Sequence, residues 1–181
     1  MSNPAAAYSL RVRRLAVVSA GRAADAKRKA ERVVKDGVIA VTGGTGALGL
    51  ITARYLVQRG ATSVLLLSRS GRCRPADEPL MQSLRAAAQG RAQLEVIRLD
   101  VGDMQAVDKF VASRGLQLTG LVHAAGTTND GVLSSRTSQT LTDAMRPKVY
   151  GALRLTSGLD DFRRSKGLGV LSLELYFSST T

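Results

Sequence analysis

From residue 38 onward, short runs rich in Val, Ile and Leu alternate with longer stretches in which apolar positions recur at helical spacing. The short runs read as strands and the longer stretches as helices packed on one side. Strands are predicted near 38–42, 63–68, 94–99, 119–124 and 170–178, and helices near 46–59, 77–89, 103–114 and 137–158. The second run, SVLLLS, is apolar throughout its interior, as expected of a strand buried on both faces. Pro75 and Pro79 bracket the loop before the second helix, and Gly90 and Gly115 stand where the second and third helices should stop. A β-α-β succession with right-handed crossovers gives an α/β fold, a doubly wound parallel sheet with strand order 3-2-1-4-5. A chain ending with its fifth strand would leave that edge with unpaired backbone groups and a bare apolar face, so the pattern also predicts a sheet whose C-terminal strands are missing. Ahead of this unit, DAKRKAERVVK at 25–35 reads as a short exposed helix, and Asp36-Gly37 as the turn that launches the first strand.

The first strand runs into a glycine cluster, VIAVTGGTGALG from Val38 to Gly49. Gly44, Gly46 and Gly49 stand at G-x-G-x-x-G spacing, with Gly43 ahead of them where the chain must turn sharply. The first pair is expected to adopt angles that a β-carbon forbids, Gly46 to let the backbone approach a pyrophosphate, and Gly49 to let the helix pack on the strand. Free amides at the helix start and the positive end of its dipole then favour a phosphate. The candidate cradle is therefore Thr42, Gly43, Gly44, Thr45, Gly46, Ala47, Leu48 and Gly49. A plain strand-to-helix turn is the structural alternative.

Twenty residues after Gly49 comes Arg69, within Ser68-Arg69-Ser70 at the end of the second strand. In such folds a carboxylate here binds a ribose 2′-hydroxyl, whereas an arginine accommodates a 2′-phosphate. No carboxylate stands there, so Arg69, with the hydroxyls of Ser68 and Ser70, favours NADPH over NADH, a generic basic loop being the structural alternative. Asp100 and Val101 end the third strand in LDVGD, and His123, Ala124, Ala125 and Gly126 end the fourth in HAAG. Asp100 is a candidate acceptor for an adenine amino group, with a helix cap by Asp100 or Asp103 as the alternative. Ala124, Ala125 and Gly126 are small enough to admit a flat ring. His123, the sole histidine, is assigned a packing place, or one supporting the site from within that strand, rather than a catalytic role, because no acidic or serine partner follows it at suggestive spacing.

Charge and composition narrow the class. The chain has 181 residues, 44% hydrophobic and 22% charged, enough for one domain core, with residues 1–36 as a basic tail or linker and 37–181 as the domain. Residues 1–36 hold nine basic and three acidic side chains, so half of the net charge of +12 lies in the tail. Few aromatics accompany the rest, which argues against nucleic-acid binding. No run of eighteen apolar residues exists, so no membrane span is expected. No metal-ligand spacing is present. Cys73, the single cysteine, lies between Arg72 and Arg74 and is read as a bystander rather than an activated thiol. The acid-free, arginine-bearing start, residues 1–24, resembles an organellar transit peptide, and equally the linker of a preceding domain, so a cytoplasmic or organellar compartment is expected.

Taken together, TGGTGALG, SRSG, LDVGD, GLVHAAG, RPKVYGALRL and YFSS resemble, in order and spacing, the catalytic half of a polyketide-synthase ketoreductase domain, of the short-chain dehydrogenase/reductase superfamily. The resemblance covers residues 37–181. It implies NADPH-dependent reduction of a β-ketoacyl thioester, held on an acyl carrier protein, to the β-hydroxyacyl thioester, with other synthase domains as partners. It implies further that Lys148 tunes a catalytic tyrosine and that Ser179 binds the substrate carbonyl. Lysine on the helix before the fifth strand separates synthase domains from free-standing relatives, which carry asparagine there. The family pattern Tyr-x-x-x-Asn lies beyond the serine, and none of Tyr8, Tyr55, Tyr150 and Tyr176 has asparagine four residues later. Loss of a general acid costs about 10²–10⁴ in rate, so the chain alone is expected to reduce little. Thr128-Asn129-Asp130 aligns with the Leu-Asp-Asp stereocontrol motif, Asp130 being kept and the middle position changed to asparagine. A free-standing dehydrogenase of the same superfamily and a non-catalytic nucleotide-binding scaffold are the competing readings. The basic stretch DDFRRSKGLGVLSLE before YFSS departs from the family pattern.

Overall fold

The structure, a computed structural model, describes residue 34, residues 37–127 and residues 137–177. Strands β1 (Val38–Thr42), β2 (Ser63–Ser68), β3 (Gln93–Arg98), β4 (Leu118–His123) and β5 (Leu173–Tyr176) form one parallel sheet in the order β3-β2-β1-β4-β5. This is the order the pattern predicts. Side chains alternate across the pleat, so Ile39, Val41, Val64 and Leu66 enter one core while Ala40, Leu65, Leu67 and Leu121 enter another. Helices α1 (Ala47–Gln58) and α2 (Glu78–Ala88) cover the first face with Leu50, Leu56, Met81 and Leu84. On the second face α3 (Met104–Arg114) contributes Val107 and Phe110. Asp103 caps α3, its Oδ1 accepting from the amides of Gln105 at 3.0 Å and Ala106 at 3.1 Å.

The helix predicted at 137–158 is divided. Helix α4 (Ser138–Met145) leads into a π-helical turn, Arg146–Tyr150, and then α5 (Gly151–Ser165). Pro147 has no amide to give and its ring crowds the preceding turn. The ladder widens there, with the Gly151 amide bonding the Arg146 carbonyl five residues back. Gly151 is required for space, since a β-carbon would lie 2.8 Å from the Val101 carbonyl oxygen. Helix α5 then buries Leu155 and Leu159 in the second core.

The stretch that departs from the family pattern is an extended α5, its cap and a strap. Gly167 adopts φ 73°, and the amides of Gly167 and Leu168 close on the carbonyls of Arg164 at 3.0 Å and Arg163 at 2.9 Å. The Arg163 guanidinium donates to the Leu118 carbonyl at 2.7 Å and the Gly169 carbonyl at 2.8 Å, tying the strap to the start of β4. Among the described residues strand β5 therefore spans Leu173–Tyr176, starting three residues later than the predicted 170. Gly90 stops α2 with φ 67°, as predicted, but Gly115 keeps a helical φ of −58°. A β-carbon on Gly115 would lie 2.5 Å from the Val111 carbonyl oxygen and 3.0 Å from Phe162, so it serves the close approach of α5. The helix expected at 25–35 lies outside the described residues except for Val34, which is helical and packs against the first core. Among the described residues no helix is long and apolar enough to cross a membrane, and no three His, Cys, Asp or Glu side chains gather as metal ligands.

Candidate cofactor site

A cleft of about 450 Å³ opens at the C-terminal ends of β1, β2 and β4, where the strand order reverses direction. It is lined by Gly43, Thr45, Gly46, Ala47, Leu48, Gly49, Ser68, Arg69, Ser70, Arg72, Arg74, Ala124 and Gly126. The four glycines of the turn have different reasons. Gly43 alone takes the left-handed conformation, φ 65°, and a β-carbon there would strike the Ala124 carbonyl oxygen at 2.7 Å. Gly44 has no positive φ but lies so close to β2 that its β-carbon would be 2.7 Å from the Leu66 Cα. Gly49 brings α1 onto the turn itself rather than onto the strand, with a virtual β-carbon 2.3 Å from the Gly43 carbonyl oxygen. Gly46 meets nothing nearer than 3.4 Å and leaves the cleft open.

Helix α1 begins without a side-chain cap or an acidic residue in its first turn. Its first internal bond runs from the Leu50 amide to the Gly46 carbonyl at 2.9 Å, so the amides of Ala47, Leu48 and Gly49 have no carbonyl within the helix. With the positive end of the dipole behind them, these amides suit a phosphate. The loop above is clasped, Thr45 Oγ1 donating to Ser68 Oγ at 2.7 Å. Cys73 sits beneath it, Sγ 3.7 Å from the Thr45 carbonyl oxygen, and burial, then Glu78 and Asp77, push its pKa up. It is a neutral thiol, not an arginine-activated one.

Among the described residues no carboxylate lines the cleft. Arg74 is committed to the buried Asp77 at 2.6 Å, whereas exposed Arg69 and Arg72 form no ion pair among the described residues. Lys148, carried by the π turn, does not itself line the cleft but lays its stem along Gly126, which does, so that a β-carbon on Gly126 would be 3.0 Å from Lys148 Cε.

The sequence profile of the KR domain family matches residues 37–179. The chain belongs to the ketoreductase (KR) family. This family falls within the short-chain dehydrogenase/reductase superfamily of oxidoreductases, which bind a nicotinamide cofactor. The chain is 40% identical over 121 residues to polyketide synthase GfsB of Streptomyces halstedii, covering 66% of this chain and 2% of that protein. It is 34% identical over 147 residues to the pikromycin polyketide synthase component PikAII of Streptomyces venezuelae, covering 80% of this chain and 4% of that protein. The chain thus spans a small fraction of the curated relatives it matches. Among solved structures, the PlmKR1 ketoreductase from the first module of phoslactomycin biosynthesis in Streptomyces sp. HK803 superposes with a TM-score of 0.66 at 32% identity, over 81% of this chain and 32% of that one. A ketoreductase domain from the bacillaene assembly line gives 0.64 at 28% identity, over 80% of this chain and 33% of that one.

Of the residues predicted for cofactor binding, the KR fold brings Gly43, Thr45, Gly46, Ala47, Leu48, Gly49, Ser68, Arg69, Ala124 and Gly126 to one cleft. Thr42, Gly44, Asp100, Val101 and Ala125 do not line it. Thr42 is fully buried, its Oγ1 receiving the amides of Ala124 at 3.2 Å and Ala125 at 3.1 Å. Asp100 is exposed and its Oδ1 accepts the Gly102 amide at 2.9 Å, while Val101 is buried in the second core. His123 is buried, as expected of a packing residue, and burial lowers its pKa against the opposing effect of a hydrogen bond to Pro147. Ser179 and Asp130 lie outside the described residues. No described tyrosine lines the cleft: Tyr55 and Tyr150 are exposed on helical surface, and the Tyr176 hydroxyl pairs with that of Thr156. Ser70 lines the cleft beside Ser68 and Arg69, and Arg72 and Arg74 do so although sequence reasoning did not single them out as ligands; their place directly after Arg69 was the available signal.

Proposed function

We propose that residues 37–181 are the cofactor-binding portion of a ketoreductase domain of a polyketide or fatty-acid-like synthase, with residues 1–36 a basic tail or linker. The cofactor is NADPH. The reaction is reduction of a β-ketoacyl thioester on an acyl carrier protein to the β-hydroxyacyl thioester. The observation that carries this reading is the cleft without a carboxylate among the described residues, in which uncapped helix amides and Arg69, without an ion pair among the described residues, come together, while Lys148 packs on Gly126 of its lining.

In this reading Gly43 to Gly49 hold the pyrophosphate, while Arg69, with Ser68 beside it, takes the 2′-phosphate through its planar donor fork. Ala124 and Gly126 admit the nicotinamide end. When bound, NADPH supplies the hydride. Lys148 holds the ribose and lowers the pKa of a tyrosine, Ser179 donates to the substrate carbonyl, and Asp130 biases the face that is presented.

The test is binding, because no tyrosine of the sequence is followed by asparagine four residues later. NADPH and NADH are titrated against the purified chain and against Arg69→Ala, read by nicotinamide fluorescence. NADPH should bind about ten- to a hundredfold tighter than NADH, the worth of charge-assisted hydrogen bonds to one phosphate, and Arg69→Ala should abolish the difference. Equal affinities in the unaltered chain would refute the assignment.

A further inference from the structure

His123 is 3% exposed, and both ring nitrogens are engaged. Nδ1 lies 2.9 Å from Thr42 Oγ1 and Nε2 lies 3.1 Å from the Pro147 carbonyl oxygen. A carbonyl only accepts, so Nε2 carries the proton. Thr42 Oγ1 already receives two amides, those of Ala124 and Ala125, which occupy its two lone pairs. Its own O–H must therefore donate to His123 Nδ1. The bonds select one neutral tautomer and run without a break from the end of β1, through the end of β4, to the π turn.

That last bond answers a need created by the π turn. In an α-helix the Gly151 amide would bond the Pro147 carbonyl; here it goes to Arg146 instead. His123 gives the Pro147 carbonyl a donor across the sheet edge. The next residue is Lys148, whose stem lies on Gly126, three positions beyond His123. We propose that His123 is a positioning residue: through the Pro147 carbonyl it holds the π turn in the register that sets Lys148 against the cofactor cleft. This rests on the reading of Lys148 as the cofactor-side lysine, but its geometry can be tested without any cofactor.

Two substitutions divide the two ring contacts. His123→Asn keeps an acceptor near the Nδ1 position and falls short of Pro147, whereas His123→Gln places an amide donor near the Nε2 position. The full chain is reductively methylated with ¹³C on its lysines, and the Lys148 signal is identified by its loss in Lys148→Ala. The histidine tautomer is read from ¹⁵N shifts of the unaltered chain. The expected results are an Nε2–H tautomer, a Lys148 signal displaced toward that of a free lysine in H123N, and its return in H123Q. NADPH binding should weaken about tenfold in H123N and stay within about twofold in H123Q, the effect of one hydrogen bond. An Nδ1–H tautomer, or a Lys148 signal unmoved in H123N, overturns the proposal. If H123N does not fold, the tautomer together with a retained Lys148 signal in H123Q decides. A chain that shows the tautomer and the Lys148 displacement yet binds no NADPH sinks the functional reading and leaves the positioning role standing.

Discussion

Replacing Gly46 and Gly49 by alanine, one at a time, separates the two uses of the glycine turn. At Gly49 the new methyl would lie 2.3 Å from the Gly43 carbonyl oxygen and 2.7 Å from Gly44 Cα. Both are backbone atoms, so the contact is relieved only by moving α1 off the turn by roughly 1 Å. Helix α1 supplies Leu50, Ala53, Leu56 and Val57 to the first core, and that packing loosens as it moves. Overpacking of this kind costs about 2–3 kcal/mol, which for a chain of this size lowers the Tm by about 4–12 °C. At Gly46 the nearest atom is 3.4 Å away, an ordinary contact, so stability should change by no more than about 0.5 kcal/mol. The same methyl takes up cleft space that a phosphate needs, and NADPH affinity should fall at least about tenfold. Thermal unfolding by circular dichroism and NADPH fluorescence titration on the unaltered chain, G46A and G49A give the two readouts. A G46A chain that binds NADPH like the unaltered one refutes the cradle, and a G49A chain with unchanged Tm refutes the steric argument.

Asp103→Ala removes two hydrogen bonds at the start of α3 and should cost about 0.5–2 kcal/mol in urea unfolding, while NADPH binding stays unchanged because Asp103 lies away from the cleft. The pKa of His123 is held below the ordinary histidine value by burial, so the unfolded chain takes up a proton at a pH where the folded chain does not. Its contribution to stability is therefore complete above the unfolded value of about 6.5 and declines as the pH falls below that toward the folded value. Urea denaturation at about pH 7.5 and at about pH 5.5 should show this loss, and His123→Gln should flatten it. A pH slope that survives the substitution assigns the effect to other groups.

The strands at 38–42 and 63–68 were legible to the residue because both are buried on two faces and bounded by turn residues. The start of β5 was not, because Val170 and Leu171 look like strand residues although Gly167 and Arg163 hold the segment before them as a strap. A helical period passes through Pro147 without a break, and the contact of the Pro147 carbonyl with His123 on β4, which accompanies the π turn, has no trace in the local pattern. The half of the cleft formed by the glycines, the helix start and the Arg69 loop was readable because each of these parts is local. The other half rests on pairs that only the sheet brings together, Thr42 with His123 and Gly126 with Lys148. Gly44 shows the same limit at a single position. Its spacing suggested a backbone angle, and its actual requirement is the distance to Leu66 on the neighbouring strand.

Gly43 and Gly44, one residue apart, are pressed against different neighbours, the first against Ala124 beyond β4 and the second against Leu66 within β2. The pair acts as a spacer gauge for the two gaps that flank the central strand. Transplanting this turn into another sheet, or another turn into this one, would then succeed only where both gaps have the same width. If Arg69 takes the 2′-phosphate as proposed, exchange of cofactor preference by loop grafting is better attempted at its loop, where Arg69 and Ser70 are exposed and free of this double constraint.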